Sequence, residues 1–133
     1  MASNLKKAKD RCWKTFSKYI RLRDCLETTN TMEWGLCVTC SQRKHFKELQ
    51  AGHFLGGRGN SILFDERGVF AQCRQCNYQS GNPVEYFRFM QQKHGDDVID
   101  ELRLKKNQAV KWTEDEYDAL NDLLKDKIKD LER

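Results

Sequence analysis

Four of the six cysteines stand in two Cys-x-x-Cys pairs, Cys37 with Cys40 and Cys73 with Cys76, with 32 residues between the pairs. Two thiolates three positions apart bind one tetrahedral ion when a tight turn joins them, and two such knuckles complete a closed four-sulfur zinc site. A disulfide framework belongs to oxidising compartments, and a redox Cys-x-x-Cys belongs beside a βαβ pattern that this chain lacks. A structural zinc site supplies roughly 10–16 kcal/mol of apparent binding energy that is also folding energy. Its coordination shell is closed, so any reaction has to be sought beside the metal rather than on it. Cys12 falls on an apolar helical stripe and reads as a core thiol. Cys25 carries no signal either way.

Charge is divided unevenly. Residues 1–25 hold eight Lys or Arg against Asp10 and Asp24, a local +6, whereas residues 96–133 carry a local −4. A basic N-terminal half suits a polyanion partner, because Lys and Arg contacts to phosphate release condensed counterions. A solvated helix face accounts for the charge equally well. The 133 residues, 33% of them charged, contain no apolar run approaching the ~20 residues of a membrane span. The N-terminus has no apolar segment of a secretory signal. The expectation is a soluble intracellular protein of one domain, 1–133, with no membrane contact.

Periodicity predicts a helix over 4–23, with Leu5, Ala8, Cys12, Phe16, Tyr19 and Ile20 on one face. Residues 27–32 read as a polar loop. Short strands are expected at 34–38, 51–55, 61–64 and 68–71, gathered around the metal. Helix returns after Cys76: Asn82-Pro83 reads as a cap and first helical residue, Gly95 as a stop, and Asp96 or Asp97 as a new start. Thr113 and Glu116 form a capping box for a last helix of about five turns. The seam of that helix, Tyr117, Leu120, Leu124, Ile128 and Leu131, serves either a homodimer or packing on the chain's own helices. The acidic charge of the tail directs that end away from DNA. The architecture implied is α+β: a zinc-braced core over 34–95, a basic helix over 1–25 before it, and helices over 96–133 after it.

His53 lies between the knuckles, and Asn77 directly follows the second. A His on a strand and an Asn opening the next helix, braced by zinc, resemble the ββα-metal (HNH-type) nuclease site. Its chemistry is phosphodiester hydrolysis, in which a neutral imidazole takes a proton from water and a hydrated Mg²⁺ steadies the leaving oxygen. Four stretches carry a closer resemblance: Ala51-Gly52-His53-Phe54, Phe64-Asp65-Glu66-Arg67, Gln72-Cys73-x-x-Cys76-Asn77 and Ser80-Gly81-Asn82. Together they resemble the phage NinG (Rap) recombination-protein family from about Leu5 onward. The wider similarity is to phage endonuclease VII-type junction resolvases.

The resemblance implies a phage-encoded, Mg²⁺-dependent endonuclease, with Mn²⁺ as a substitute, acting in the bacterial cytoplasm on Holliday junctions and D-loops. By position it makes His53 the general base, Asn77 a Mg²⁺ ligand, and Cys37, Cys40, Cys73 and Cys76 the zinc ligands. Three positions depart from the pattern. Gly52 stands where many ββα-metal sites have Asp, Gln50 where the NinG pattern has Asp, and Gly68 where it has Asn. A carboxylate for the hard cation must then come from Asp65, Glu66 or Glu85, with Glu66 first because it lies inside the matching stretch. Arg58, Arg67, Arg74, Lys14 and Lys18 are the expected nucleic-acid contacts, with Arg43 and Lys44 extending that surface. The alternative is a non-catalytic zinc module that binds branched or single-stranded DNA and recruits recombination proteins. A third class is a zinc-stabilised protein adaptor working through the acidic helices.

Overall fold

A computed structural model describes residues 3–56 and 60–133 of the chain. The first helix, α1 (Asn4–Thr29), is opened by Ser3, whose hydroxyl accepts the Lys6 N–H at 3.1 Å. It buries Ala8, Cys12, Phe16, Tyr19 and Ile20 of the expected face but leaves Leu5 exposed, and it runs six residues past the expected end. Thr28 and Thr29 explain the extension. Their hydroxyls bond back to the carbonyls of Asp24 and Cys25, so a polar stretch that reads as loop is satisfied within the helix. Asn30 then closes it in the left-handed region at φ 60°.

Two antiparallel strand pairs follow. β1 (Trp34–Leu36) pairs with β2 (Arg43–His45), and β3 (Leu49–His53) pairs with β4 (Val69–Cys73) in the register Leu49↔Cys73 to His53↔Val69. β2 has no hydrophobic alternation for the sequence to reveal. The strand expected at 61–64 is instead a helical turn, α2 (Asn60–Leu63), in which the successive residues Ser61 and Ile62 are both buried. A run this short has no period to separate strand from helix. Past β4 come α3 (Arg74–Tyr78), α4 (Pro83–Lys93), α5 (Asp96–Lys106) and α6 (Glu114–Leu131). Pro83 occupies the first turn of α4 as expected, but Asn82 has φ 52° and makes no side-chain cap bond. The Thr113–Glu116 capping box on α6 is present in both directions.

The hairpin β3–β4 separates two apolar cores. Ala51 and Val69 face α1 and α6, joining Ala8, Cys12, Phe16, Tyr117, Leu124 and Ile128. Phe70 points the other way into a cluster with Ile62, Tyr86, Met90, Ile99 and Leu102. The α6 seam is therefore filled by the chain's own α1. The two helices run in the same direction, since Arg11 bonds Asp118 and the Lys127 ammonium sits 5.4 Å over the Tyr19 ring. Tyr86 pins the hairpin from the second core: its hydroxyl accepts the Phe70 N–H at 3.0 Å and donates to the Gly52 carbonyl. No helix among the described residues is long and apolar enough to cross a membrane.

Asp24 locks α1 to the hairpin. Its buried carboxylate accepts the Ala71 N–H at 2.7 Å and a bidentate bond from Arg23, which also donates to the Val69 and Glu66 carbonyls. Asp24→Ala leaves the Ala71 N–H unpaired and strips Arg23 of its anion. The expected loss is about 3–5 kcal/mol, the size found when one member of a buried pair is removed. Urea unfolding of the zinc-loaded variant beside wild type measures it; a shift under about 1 kcal/mol would show that the lock contributes only as much as an exposed pair.

Candidate metal centre and adjoining cleft

The sulfurs of Cys37, Cys40, Cys73 and Cys76 all lie within 4.8 Å of one another. The first knuckle is the turn after β1, closed by the bonds Ser41 N–H to Cys37 O and Cys37 N–H to Gln42 O, both 2.9 Å. The second is the step from β4 into α3. The knuckles meet because the Val38 N–H bonds the Ala71 carbonyl at 2.9 Å and the Cys73 N–H donates to the Cys37 sulfur at 3.2 Å. Sulfurs 2.3 Å from a tetrahedral zinc stand about 3.8 Å apart, and the Cys40 and Cys73 sulfurs are 3.8 Å apart. The four residues fit a metal such as zinc in number, element and spacing. Burial works against the Cys37 thiolate, yet N–H groups of Cys73, Cys40 and Thr39 and the Thr39 hydroxyl outweigh it, drawing that thiol down to about 6. Burial and the neighbouring sulfurs push Cys40 up to about 12. Among the described residues this is the one cluster of three or more Cys, His, Asp or Glu side chains that could hold an ion.

Gln72 braces the centre. Fully buried on β4, its amide nitrogen donates to the Thr39 hydroxyl of the first knuckle at 3.1 Å and to the Gly81 carbonyl beyond the second at 2.8 Å. The same side chain fills the space over Gly52, where an added Cβ would collide with the Gln72 amide oxygen. An Asp at position 52 would have to displace the Gln72 side chain from the brace it forms. Gly68, the second departure, has Leu102 3.2 Å from where its Cβ would be. At the third, Gln50 accepts a 2.7 Å bond from the Asn77 side-chain amide. Gln50 and Asn77 share a cleft of about 400 Å³ with Trp13, Ser17 and Arg21 of α1.

His53 ends β3 with its ring stacked on Trp13, centroids 5.4 Å apart and planes 16° from parallel. Trp13 forms a wall of the cleft, and His53 itself is not among the residues lining it. The His53 Nε2 lies 3.0 Å from the Leu63 carbonyl at the end of α2. A carbonyl only accepts, so Nε2 carries the proton and Nδ1 keeps the lone pair. Burial lowers the imidazole pKa below its ordinary value, and the Leu63 bond opposes this only in part. Burial thus favours the neutral imidazole, and the Leu63 bond favours the tautomer protonated on Nε2.

The remaining expected residues are scattered. Glu66 pairs with Lys127 at 2.7 Å and lines a separate cavity with Arg23, Asp24 and His94. Asp65 is held by Arg67 at 2.9 Å and Lys105 at 2.8 Å, and these contacts pull its carboxyl far below the usual range despite burial. Glu85 is exposed and pairs with Arg88. None of the three is drawn to Asn77. Arg67 directs its guanidinium to Asp65 and Glu101. Arg74 is exposed at the start of α3 beside Lys44 and Tyr78, while Lys14 and Lys18 are exposed on α1. Arg58 lies outside the described residues. Sequence reasoning missed Gln72, Trp13 as the stacking partner of His53, and Gln50 as the partner of Asn77. The alternation along β3 and β4 gives the faces of Gln50 and Gln72 but not their contacts.

A family model described as "Bacteriophage Lambda NinG protein" matches residues 2–133. The protein ninG of Escherichia phage 933W is 31% identical over 97 residues, covering 71% of this chain and 47% of that protein. Protein ninG of Salmonella phage P22 is 30% identical over the same shares. Protein ninG of Enterobacteria phage H19B is 34% identical over 83 residues, covering 61% of this chain and 41% of its own length. The chain spans about half the length of these relatives. No solved structure matches it.

Proposed function

The chain belongs to the bacteriophage NinG family, and from that premise we propose that it is a Mg²⁺-dependent, HNH-type endonuclease hydrolysing phosphodiesters in branched DNA, such as Holliday junctions and D-loops, during phage recombination. The observation that carries the reading is the state of His53. With Nε2–H committed to the Leu63 carbonyl, Nδ1 is a lone pair on an imidazole that burial keeps neutral. That is the form a general base needs to take a proton from an attacking water. The sequence β3–β4–α3, with a zinc-type centre holding β4 to α3, supports the likeness to a ββα-metal site. Asn77 would hold a hydrated Mg²⁺ together with the Gln50 side chain, and that ion would stabilise charge on the leaving oxygen. Both protein ligands are neutral amides, so the ion keeps most of its waters and binds weakly.

The working pH follows from the burial of the same ring. The rate rises as His53 loses its proton, and its pKa is lowered, so the acid limb of the rate profile falls below the ordinary 6.5. The test is cleavage by zinc-loaded protein of a labelled four-way junction beside a linear duplex of the same sequence, with or without Mg²⁺, across pH 5–8. Selective junction cutting that needs Mg²⁺, with a limb below 6.5, is the expected result. Zinc-loaded protein that binds the junction and leaves it intact overturns the enzyme.

A second reading has its own support. Glu66, Asp65 and Glu85 are all engaged by cations, and Gln72 fills the space an Asp at 52 would need. A chain without a carboxylate at the cleft suits a zinc-stabilised module that binds branched or single-stranded DNA and recruits recombination proteins.

A further inference from the structure

We infer that the groove between α1 and α6, walled by Lys14 and Lys18 on one side and Lys125 and Lys129 on the other, holds the phosphate backbone of a duplex DNA arm. The inference deepens the proposed function and rests on the protein binding DNA. The groove encloses about 440 Å³, with Thr15 and Ile128 between its walls and Glu132 as the one carboxylate. All four lysines are exposed, and among the described residues none lies within 4.0 Å of a carboxylate. Four lysines elsewhere in the fold are held in ion pairs: Lys6 by Asp10, Lys93 by Glu27, Lys105 by Asp65 and Lys127 by Glu66.

Each wall repeats its charge at i and i+4, about 6 Å along the helix, an arrangement that is repulsive on an isolated helix. The helices run in the same direction, so the two repulsive pairs flank one groove, where a bound anion relieves both. Two parallel rows of cations fit an extended polyanion better than a compact one. No aromatic side chain lines the groove, whereas single strands are held by stacking on aromatics. The occupant is therefore a duplex backbone. At 100° per residue, Lys14 falls on α1 between Lys18 and the Ser17–Arg21 stripe that lines the cleft of Asn77 and Gln50. The basic surface is thus continuous from the groove to the cleft. On this reading α6, for all the acidic charge of the tail, contributes Lys125 and Lys129 to the groove it forms with α1.

Binding of a labelled four-way junction, a linear duplex and a single strand is measured on zinc-loaded protein in Mg²⁺-free buffer over a salt series. The proteins are wild type, Lys125→Gln/Lys129→Gln, Lys14→Gln/Lys18→Gln and, away from the groove, Lys111→Gln. Each double variant is expected to bind duplex and junction roughly tenfold more weakly, with the log–log salt slope shallower by about 0.9 for every phosphate no longer neutralised. Lys111→Gln should match wild type. Double variants that keep the wild-type affinity and slope overturn the groove and leave the nuclease reading standing. A loss confined to single strands overturns the duplex assignment. Wild type that binds none of the three removes the proposed function and the groove with it.

Discussion

Stripping zinc from the four-cysteine centre is expected to unfold the protein. The cysteine sulfurs converge within 4.8 Å from two segments of chain that are otherwise joined by few bonds, chiefly Val38 to Ala71 and Gln72 to Thr39. β1 and β2 are three residues each, β3 and β4 five, so neither pair is stable alone. The roughly 10–16 kcal/mol a structural zinc site supplies is as large as the whole stability of a typical domain, about 5–15 kcal/mol. Without it, four thiols are left together and the Gln72 brace has no fixed knuckles to join.

The sharpest form of this prediction is Cys73→Ser, which replaces a buried sulfur that also sets the end of β4. Zinc content should fall to background and the cooperative thermal transition should vanish, as it should for wild type in excess chelator with a thiol reductant. A chelated protein that keeps its cooperative melt within a few degrees of the loaded form would show that the apolar cores hold the fold unaided. The α1–α6 pairing makes that a fair contest, since it buries Phe16, Ile20, Tyr117 and Leu124 without help from the metal.

The features legible in the sequence were those fixed by local chemistry. The Cys-x-x-Cys pairs announced the centre, the 3.6-residue stripe gave the buried face of α1, and Thr113 with Glu116 marked the start of α6. Reading failed where tertiary partners decide. Thr28 and Thr29 read as loop until their hydroxyls are seen bonding the preceding turn. Glu66 ranked first as a cation ligand by its place in a motif, but a motif cannot say that Lys127, 61 residues away, holds its carboxylate. The α6 seam matched a dimer and an internal packing equally, because both bury the same stripe; α1 takes it. Gly52 was legible as a departure from the family pattern, whereas its cause, the Gln72 side chain lying over it, belongs to the register of β3 on β4.

Replacing His53 is expected to remove cleavage without removing the protein. A positioned general base contributes about 10²–10⁴ in rate, and among the described residues no His, Asp or Glu side chain lines the cleft of Asn77, whose wall Trp13 carries the stacked His53 ring. His53→Ala also loses a stacked ring against Trp13, so its fold must be checked apart from its rate. His53→Gln keeps a side-chain donor for the Leu63 carbonyl while supplying no base, which separates the two effects. The decisive measurement is the single-turnover rate of four-way-junction cleavage in Mg²⁺ for wild type, His53→Ala and His53→Gln. Zinc content and junction affinity are measured on the same samples. Wild type should cut, and both variants should lose at least about 100-fold in rate, with zinc and affinity retained. A His53→Gln protein that binds the junction and cuts it at the wild-type rate would contradict the assignment of His53 as the base.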